Sequence, residues 1–306
     1  MPTFTRTYQL PDGSSFTVPF SAGVIKTAAG VTQNLNLSRP NRNFGALSVN
    51  TSIGQSWYKA MFVELKQRFS NGFTGGISYT LAKADNTSGN GDGGGSGPES
   101  PFGGASFQNQ FDPAKNRAPS PLDQRHRAVV YGVWELPFGK GGVSPLRSLV
   151  RDWRMSSIFT AETGRPYSPN ISVNSVQFLN TDGAVYNGYG GLLGLGGTGN
   201  FVPTLGRDSI YGDNNYKIDL RISRVIRVGD RLRLELLGEA FNITNHANYN
   251  GYSSTLYASV ATTATTALSA PVLLTRQNNF GIPNNDGSQP DGTNARRLQV
   301  AFRLKF

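Results

Sequence analysis

The two histidines are the side chains of this 306-residue chain best suited to acid–base chemistry near neutral pH. His126 lies in the stretch "QRHRA" and His246 in "TNHAN". A catalytic dyad needs a nucleophile and an orienting acid within hydrogen-bond reach of the base. No spacing in the sequence brings such groups to either histidine. We therefore interpret both as residues near strand ends, and we expect no enzymatic activity.

Three glycine-rich motifs resemble ligand sites at first inspection. "GLGGTG" at 194–199 has the spacing of a dinucleotide-binding loop, but it opens no helix and Pro203 follows closely, so its context excludes that role. "DNTSGNGDG" at 85–93 and "NNDGSQPDG" at 284–292 carry oxygen ligands that calcium prefers, but they lack the ligand spacing of a calcium loop and indicate turns. The chain has no cysteine, which argues against thiolate metal sites. We predict no cofactor and no metal.

The net charge could also indicate a binding function, since its formal value is +10. A charge of this size can indicate nucleic-acid binding when basic residues cluster on one helix or tail. Here they recur singly, on alternate positions of predicted strands, so they indicate one polar face of a sheet and no nucleic-acid partner. If the sheet encloses a lumen, this polar face should line it. The charged residues that we expect to face the lumen are Lys217, Asp219, Arg221, Arg233, Glu235, Glu239, Arg297 and Arg303.

The elements that carry these charges are predicted strands, because apolar and polar residues alternate along them with a period of two. In "RRLQVAFRLKF", at 296–306, the apolar set is Leu298, Val300, Phe302, Leu304 and Phe306. Seven further segments show the same alternation, the first of them weakly: 43–52, 57–69, 73–83, 127–138, 153–163, 216–228 and 231–243. The sequence therefore predicts about eight strands.

Strand length and connections indicate which kind of sheet this is. The predicted strands run about 10–13 residues, which exceeds the average globular strand and suits a tilted membrane-spanning strand. Short links follow Phe69 and Val228, whereas three long polar stretches cover 84–126, 164–215 and 244–295. Short turns at one end and long loops at the other are typical of outer-membrane barrels. The low-complexity stretch 85–100 within the first loop is expected to be mobile.

The short links also predict register. Pairing Phe69 with Phe73 leaves a three-residue loop that ends in Gly72, where a positive φ is favourable. Pairing Val228 with Leu232 leaves another three-residue loop and sets Arg221 opposite Glu239, which predicts a cross-strand ion pair. We expect one antiparallel, strongly curved sheet in chain order.

The apolar face could be buried against a second sheet or against lipid. Aromatic residues at strand ends, such as Trp57, Trp134 and Trp153, favour lipid, because aromatic girdles mark the membrane interfaces. We expect the apolar face to be exposed in the isolated chain and the charged face to line the concave side. Arg224 breaks the pattern on the apolar face, and we expect it to extend to the headgroups near the short-turn end.

These segments together resemble the C-terminal part of a TonB-dependent outer-membrane receptor, of the Oar-like branch with an N-terminal carboxypeptidase-regulatory-like domain. The stretches that carry the resemblance lie after about residue 39 and include "RPNRNFGAL", "WYKAMFVELKQRFSNGFTGGISYTLAKADN", "LDQRHRAVVYGVWELPFGKG", "WRMSSIFTAETGRPY", "YKIDLRISRVIRV", "GEAFNITNHANY" and "RRLQVAFRLKF". The resemblance implies a barrel of about 22 strands around a plug. Contact with the TonB complex would then occur only through an N-terminal plug that this sequence does not contain.

The resemblance also implies a role for the last strand. In such proteins a terminal strand that ends in an aromatic residue resembles the signal read by the barrel-assembly machinery. Leu298, Val300, Phe302, Leu304 and Phe306 match that pattern. As domains, we expect an irregular segment with a possible hairpin at 1–42 and the C-terminal part of the receptor barrel at 43–306.

Targeting features bear on localisation. No run of about 18 apolar residues is present, so no transmembrane helix is expected. The N-terminus has no signal-peptide pattern, so either the protein is cytosolic or its true start is missing. We predict the cell outer membrane, with its lipid as a partner.

The leading interpretation is a fragment of an outer-membrane receptor barrel without its plug, which takes up a substrate in the parent protein. One alternative is a small self-closing barrel that acts as a passive pore or adhesin. Another is a soluble β-sandwich whose loops bind a ligand.

Overall fold

A computed structural model describes residues 3–21, 23–26, 54–68, 72–87, 114, 117–137, 151–173, 177–179, 181, 183–187, 201–229, 232–260, 267, 269–286 and 295–306. These residues form strands and no α-helix. The strands are Thr3–Gln9 (β1), Ser15–Ser21 (β2), Gly23–Lys26 (β3), Ser56–Arg68 (β4), Phe73–Asn86 (β5), Ala118–Pro119 (β6), His126–Glu135 (β7), Trp153–Glu162 (β8), Pro166–Tyr167 (β9), Asn170–Ser172 (β10), Gln177–Leu179 (β11), Val185–Asn187 (β12), Ile210–Tyr211 (β13), Asn215–Val228 (β14), Leu232–Phe241 (β15), Tyr249–Tyr252 (β16), Thr255–Ser259 (β17), Val272–Arg276 (β18), Pro283–Asp286 (β19) and Arg297–Lys305 (β20).

One long antiparallel sheet contains the predicted strands in chain order. Its order is β20-β15-β14-β8-β7-β5-β4, and the short strand β6 pairs with the end of β5. Seven of the eight predicted strands are thus confirmed, with ends that differ from the prediction by at most three residues. The eighth, at 43–52, lies outside the described residues, as does the proposed domain boundary at 42/43. Within the described part of the chain, no helix is long and apolar enough to cross a membrane.

The short turns have the predicted register. Val228 lies opposite Leu232 and Arg221 lies opposite Glu239. Gly72 and Gly229 both adopt positive φ values, of 78° and 67°, which glycine reaches without steric cost. In the first hairpin, Arg68 pairs with Thr74, which agrees with the predicted three-residue loop. The turns therefore fix which parity of each strand faces which side of the sheet.

The long polar stretches, which the sequence indicates as loops, also contain short strands. Their described parts contribute β10, β17 and β18 to a second, five-stranded sheet of order β10-β17-β18-β1-β2. The N-terminal hairpin β1–β2 joins this sheet through a parallel pairing of β1 with β18. A buried apolar cluster holds it together, consisting of Tyr8, Ile171, Val173, Val202, Leu256, Val272 and Leu274. The part of the low-complexity stretch after residue 87 lies outside the described residues.

Buried polar residues join the 201–212 segment to the long sheet where the long strands end. The Asp123 side chain is completely buried, and its carboxylate accepts hydrogen bonds from the Ala84 amide at 2.7 Å and the Tyr211 hydroxyl at 3.1 Å. Nearby, buried Arg207 donates to the Asp208 carboxylate and to the backbone and side-chain oxygens of Asn86. These contacts fix the 201–212 segment on the end of β5.

Candidate functional site

The polar face of the long sheet holds all the charged residues that the sequence predicted to face a lumen. Arg221 lies opposite Glu239, and Glu235 lies opposite Arg303. Because residues directly opposite one another in neighbouring strands share a face, the alternate positions Lys217, Asp219, Arg233 and Arg297 lie on this face as well. The seven strands therefore present a single charged surface, whose role as a lumen wall remains a prediction.

Most charges on this face are paired across strands. The Arg221 Nε lies 2.7 Å from the Glu239 Oε1, and the Arg303 Nη1 lies 3.6 Å from the Glu235 Oε2. Two further cross-strand pairs, which the sequence analysis did not identify as pairs, are Arg127–Glu162 at 3.0 Å and Arg154–Glu135 at 2.8 Å. Lys217 and Asp219 pair within one strand at 3.4 Å.

A depression interrupts this charged surface near the middle of the sheet. It encloses about 340 Å³. Apolar side chains that share the parity of the charged residues contribute to it, and Ile158, which lies directly opposite Asp219, is 51% exposed there. The side chains lining it are Tyr131, Val133, Ser156, Ile158, Asp219, Arg221, Glu239 and Phe241. Its size falls within the range of small-molecule pockets.

Glycine and cations shape the rim of this depression. A Cβ at Gly76 would lie 2.6 Å from the Tyr131 hydroxyl oxygen, so the absence of a side chain there lets the Tyr131 ring lie across β5. On the opposite rim, the Lys217 Nζ and the Arg297 guanidinium carbon lie 6.0 and 5.5 Å from the centroid of the Phe241 ring. Both are cation–π distances. The depression thus combines an apolar floor with charges that already have partners.

The opposite face is apolar and open. Its large apolar side chains are exposed or half-buried, in partial agreement with the expectation of an exposed face, and exposure is greatest on β20, where Val300 is 88% exposed against 36% for Ile222 at the centre of the sheet. Within the described residues the two large sheets do not pack as a sandwich, because this face lacks an apolar layer over it. The soluble sandwich predicted as one alternative is therefore wrong. The residues predicted as an assembly signal, Leu298, Val300, Phe302, Leu304 and Phe306, are all exposed.

Arg224 is less anomalous on the apolar face than its sequence position indicates. It lies opposite Trp153 in the register, and its guanidinium carbon is 5.7 Å from the centroid of the Trp153 ring. The aromatic face compensates part of the cost of a cation at this position. Sequence reasoning missed this contact because the long connection at 164–215 leaves the register of β8 against β14 undetermined.

The two histidines lie near strand ends, as predicted. His126 shares a 2.7 Å hydrogen bond between its Nδ1 and the Tyr79 hydroxyl. His246 stacks on Tyr216 with ring centroids 3.5 Å apart. Among the described residues no group of three or more histidine or acidic side chains could hold a metal ion. The motif at 194–199 lies outside the described residues.

Comparison with known families agrees with this architecture. A family model described as an outer membrane beta barrel domain matches residues 5–299. The chain belongs to this family, and the predicted all-β barrel fold and outer-membrane localisation are confirmed. No curated protein and no solved structure matches the chain significantly.

Proposed function

We propose that this chain is one wall of the barrel of a TonB-dependent receptor of the Oar-like branch, which takes up a substrate across the outer membrane. The observation that carries the proposal is the long sheet itself. It has one apolar face and one charged face, and within the described residues its end strands β4 and β20 do not pair with each other. A sheet of this kind suits a barrel that contains more strands than the sheet itself. The receptor resemblance implies such a barrel.

The partners follow from this proposal. Lipid covers the apolar face, the barrel-assembly machinery reads β20, and the TonB complex contacts only a plug outside this sequence. The chain has no catalytic role, because the paired charges on its inner face orient a passing solute without chemistry. We expect no nucleic-acid partner, since Arg127, Arg154, Arg221 and Arg303 of this face lie directly opposite acidic residues.

The alternative is a passive pore or adhesin formed by a small self-closing barrel. Planar-bilayer recordings separate the two. We expect the intact protein, purified from outer membranes, to give no steady open-channel current, because a receptor holds a plug in its lumen. A steady current that does not depend on TonB would reject the receptor in favour of the pore.

A further inference from the structure

On most of the charged face, charged residues that lie opposite each other have opposite signs, but one row of residues has three positive charges side by side. It runs across three neighbouring strands beside the short turn that follows β14. Arg227 lies directly opposite Arg233, and Arg233 lies directly opposite Lys305. Three cations therefore occupy successive cross-strand positions.

Everywhere else on this face, two charged residues that oppose each other have opposite signs. These pairs are Arg221–Glu239, Glu235–Arg303, Arg127–Glu162 and Glu135–Arg154. Like charges directly opposite each other destabilise a sheet. Since the rest of the face follows the rule of opposite charge, the row Arg227–Arg233–Lys305 has no explanation in the stability of the sheet.

Among the described acids, a single carboxylate lies close to the row. Within the described residues, Glu235 is the one carboxylate that reaches it, at 3.8 Å from the Lys305 Nζ, and Glu235 also pairs with Arg303 at 3.6 Å. No ion pair joins Arg227 or Arg233 to a described carboxylate, and both side chains are exposed. The row thus presents surplus positive charge at an accessible position.

We propose that Arg227, Arg233 and Lys305 form a binding site for a phosphate group. Neighbouring strands lie about 4.8 Å apart, so the flexible ends of the three side chains can converge on one oxyanion. Two guanidinium groups favour the planar, bidentate hydrogen bonding that phosphate accepts, and the ammonium group adds a point charge. The phosphate belongs either to a soluble compound or to a phospholipid headgroup at the membrane surface. This inference rests on the strand register and does not depend on the transported substrate.

The test uses the full protein, purified in a non-ionic detergent, and measures its thermal unfolding midpoint. Inorganic phosphate is compared with chloride at matched ionic strength. We expect phosphate to raise the midpoint of the wild type, because a ligand that binds only the folded state stabilises it. For Arg233→Gln we expect a loss of phosphate affinity of about tenfold or more, because one charge-assisted contact is removed.

Arg154→Gln is the matched control, since it removes the same charge from an opposite-sign pair of the same face. It should keep the wild-type response to phosphate. In chloride, Arg233→Gln should unfold at the same temperature as the wild type or higher, because a like-charge contact has been relieved. If Arg233→Gln does not reach the membrane, the wild-type titration and Arg227→Gln decide the question.

Lipid bilayers separate the two sources of phosphate. The wild type, Arg233→Gln and Arg154→Gln are each transferred into nanodiscs of anionic phosphatidylglycerol or of zwitterionic phosphatidylcholine. Stabilisation that depends on Arg233 in phosphatidylglycerol, with no effect of inorganic phosphate, identifies a headgroup as the ligand. Stabilisation by inorganic phosphate identifies a soluble phosphate compound. The proposal is overturned if neither stabilises the wild type, or if Arg233→Gln and Arg154→Gln respond to both in the same way.

Discussion

Arg221 and Glu239 lie directly opposite each other on β14 and β15, with the Arg221 Nε and Nη2 atoms both 2.7 Å from the Glu239 Oε1. The pair lies at the edge of the central depression, and the Glu239 side chain is mostly shielded from solvent. The Arg221–Glu239 pair, which turn length alone predicted, therefore lies at the candidate site.

The first prediction concerns the strength of this pair. A double-mutant cycle with Arg221→Gln and Glu239→Gln should give a coupling free energy of about 0.5–1 kcal/mol, because one partner is partly buried. The more exposed pair Arg154–Glu135 should give a smaller value. Denaturant unfolding in detergent micelles measures both, and equal couplings would contradict the role of burial.

A second prediction tests how Gly76 shapes the depression. Gly76→Ala should destabilise the protein by about 1–3 kcal/mol, because the new Cβ overlaps the end of the Tyr131 ring and forces it to move. Gly238→Ala is the control, since its Cβ would meet no atom closer than 4.0 Å. Its effect should remain within about 1 kcal/mol. Unfolding midpoints of the two variants provide the comparison.

The buried carboxylate of Asp123 supports a third prediction. Asp123→Ala should weaken the junction between the long sheet and the 201–212 segment by about 2–4 kcal/mol, because the Ala84 amide and the Tyr211 hydroxyl lose their acceptor. Tyr211→Phe removes a single hydrogen bond and should cost about 1 kcal/mol. Limited proteolysis of residues 201–212 measures the opening of the junction. Equal cleavage of Asp123→Ala and wild type would exclude this role.

The fourth prediction is a pH dependence in the second sheet. Burial raises the pKa of Tyr8 to about 12, and the charge of Arg6 offsets part of this rise. In the unfolded chain a tyrosine titrates at about pH 10, so unfolding releases a proton between the two values. Stability contributed by Tyr8 is therefore complete below about pH 10 and decreases, by on the order of 2 kcal/mol, as the pH rises to 12.

Near-ultraviolet circular dichroism of the wild type and Tyr8→Phe measures this effect. We expect the wild type to lose tertiary signal in that pH range, whereas Tyr8→Phe should lack this contribution. Identical alkaline transitions in the two proteins would contradict it.

The fifth prediction concerns β20 and assembly. Phe306 is exposed, so Phe306→Leu should change the stability of the folded barrel by less than about 1.5 kcal/mol. If the assembly machinery reads an aromatic residue at this position, the same change should reduce insertion of the parent protein into the outer membrane while refolding into detergent stays normal. Insertion at the wild-type level would reject the role of Phe306 as a signal.

The long strands could be predicted because alternation over ten or more residues is a local property of the sequence. Register followed from turn length, and with it the Arg221–Glu239 pair. The second sheet could not be predicted, because its strands have only three to seven residues and pair over long distances, as β1 does with β18. The Arg224–Trp153 contact and the depression were missed for a different reason. Each depends on the register of strands that long loops connect, such as β8 and β14, and loop length does not determine that register.

The run of seven antiparallel strands has a consequence for how the barrel closes. Direction reverses at each step from β4 to β20, so the two outermost strands point the same way. Joining their free edges directly would create a parallel pair, which an all-antiparallel barrel does not contain. The gap between β4 and β20 must therefore be filled by an odd number of strands, whether these come from other segments of the protein or from another chain.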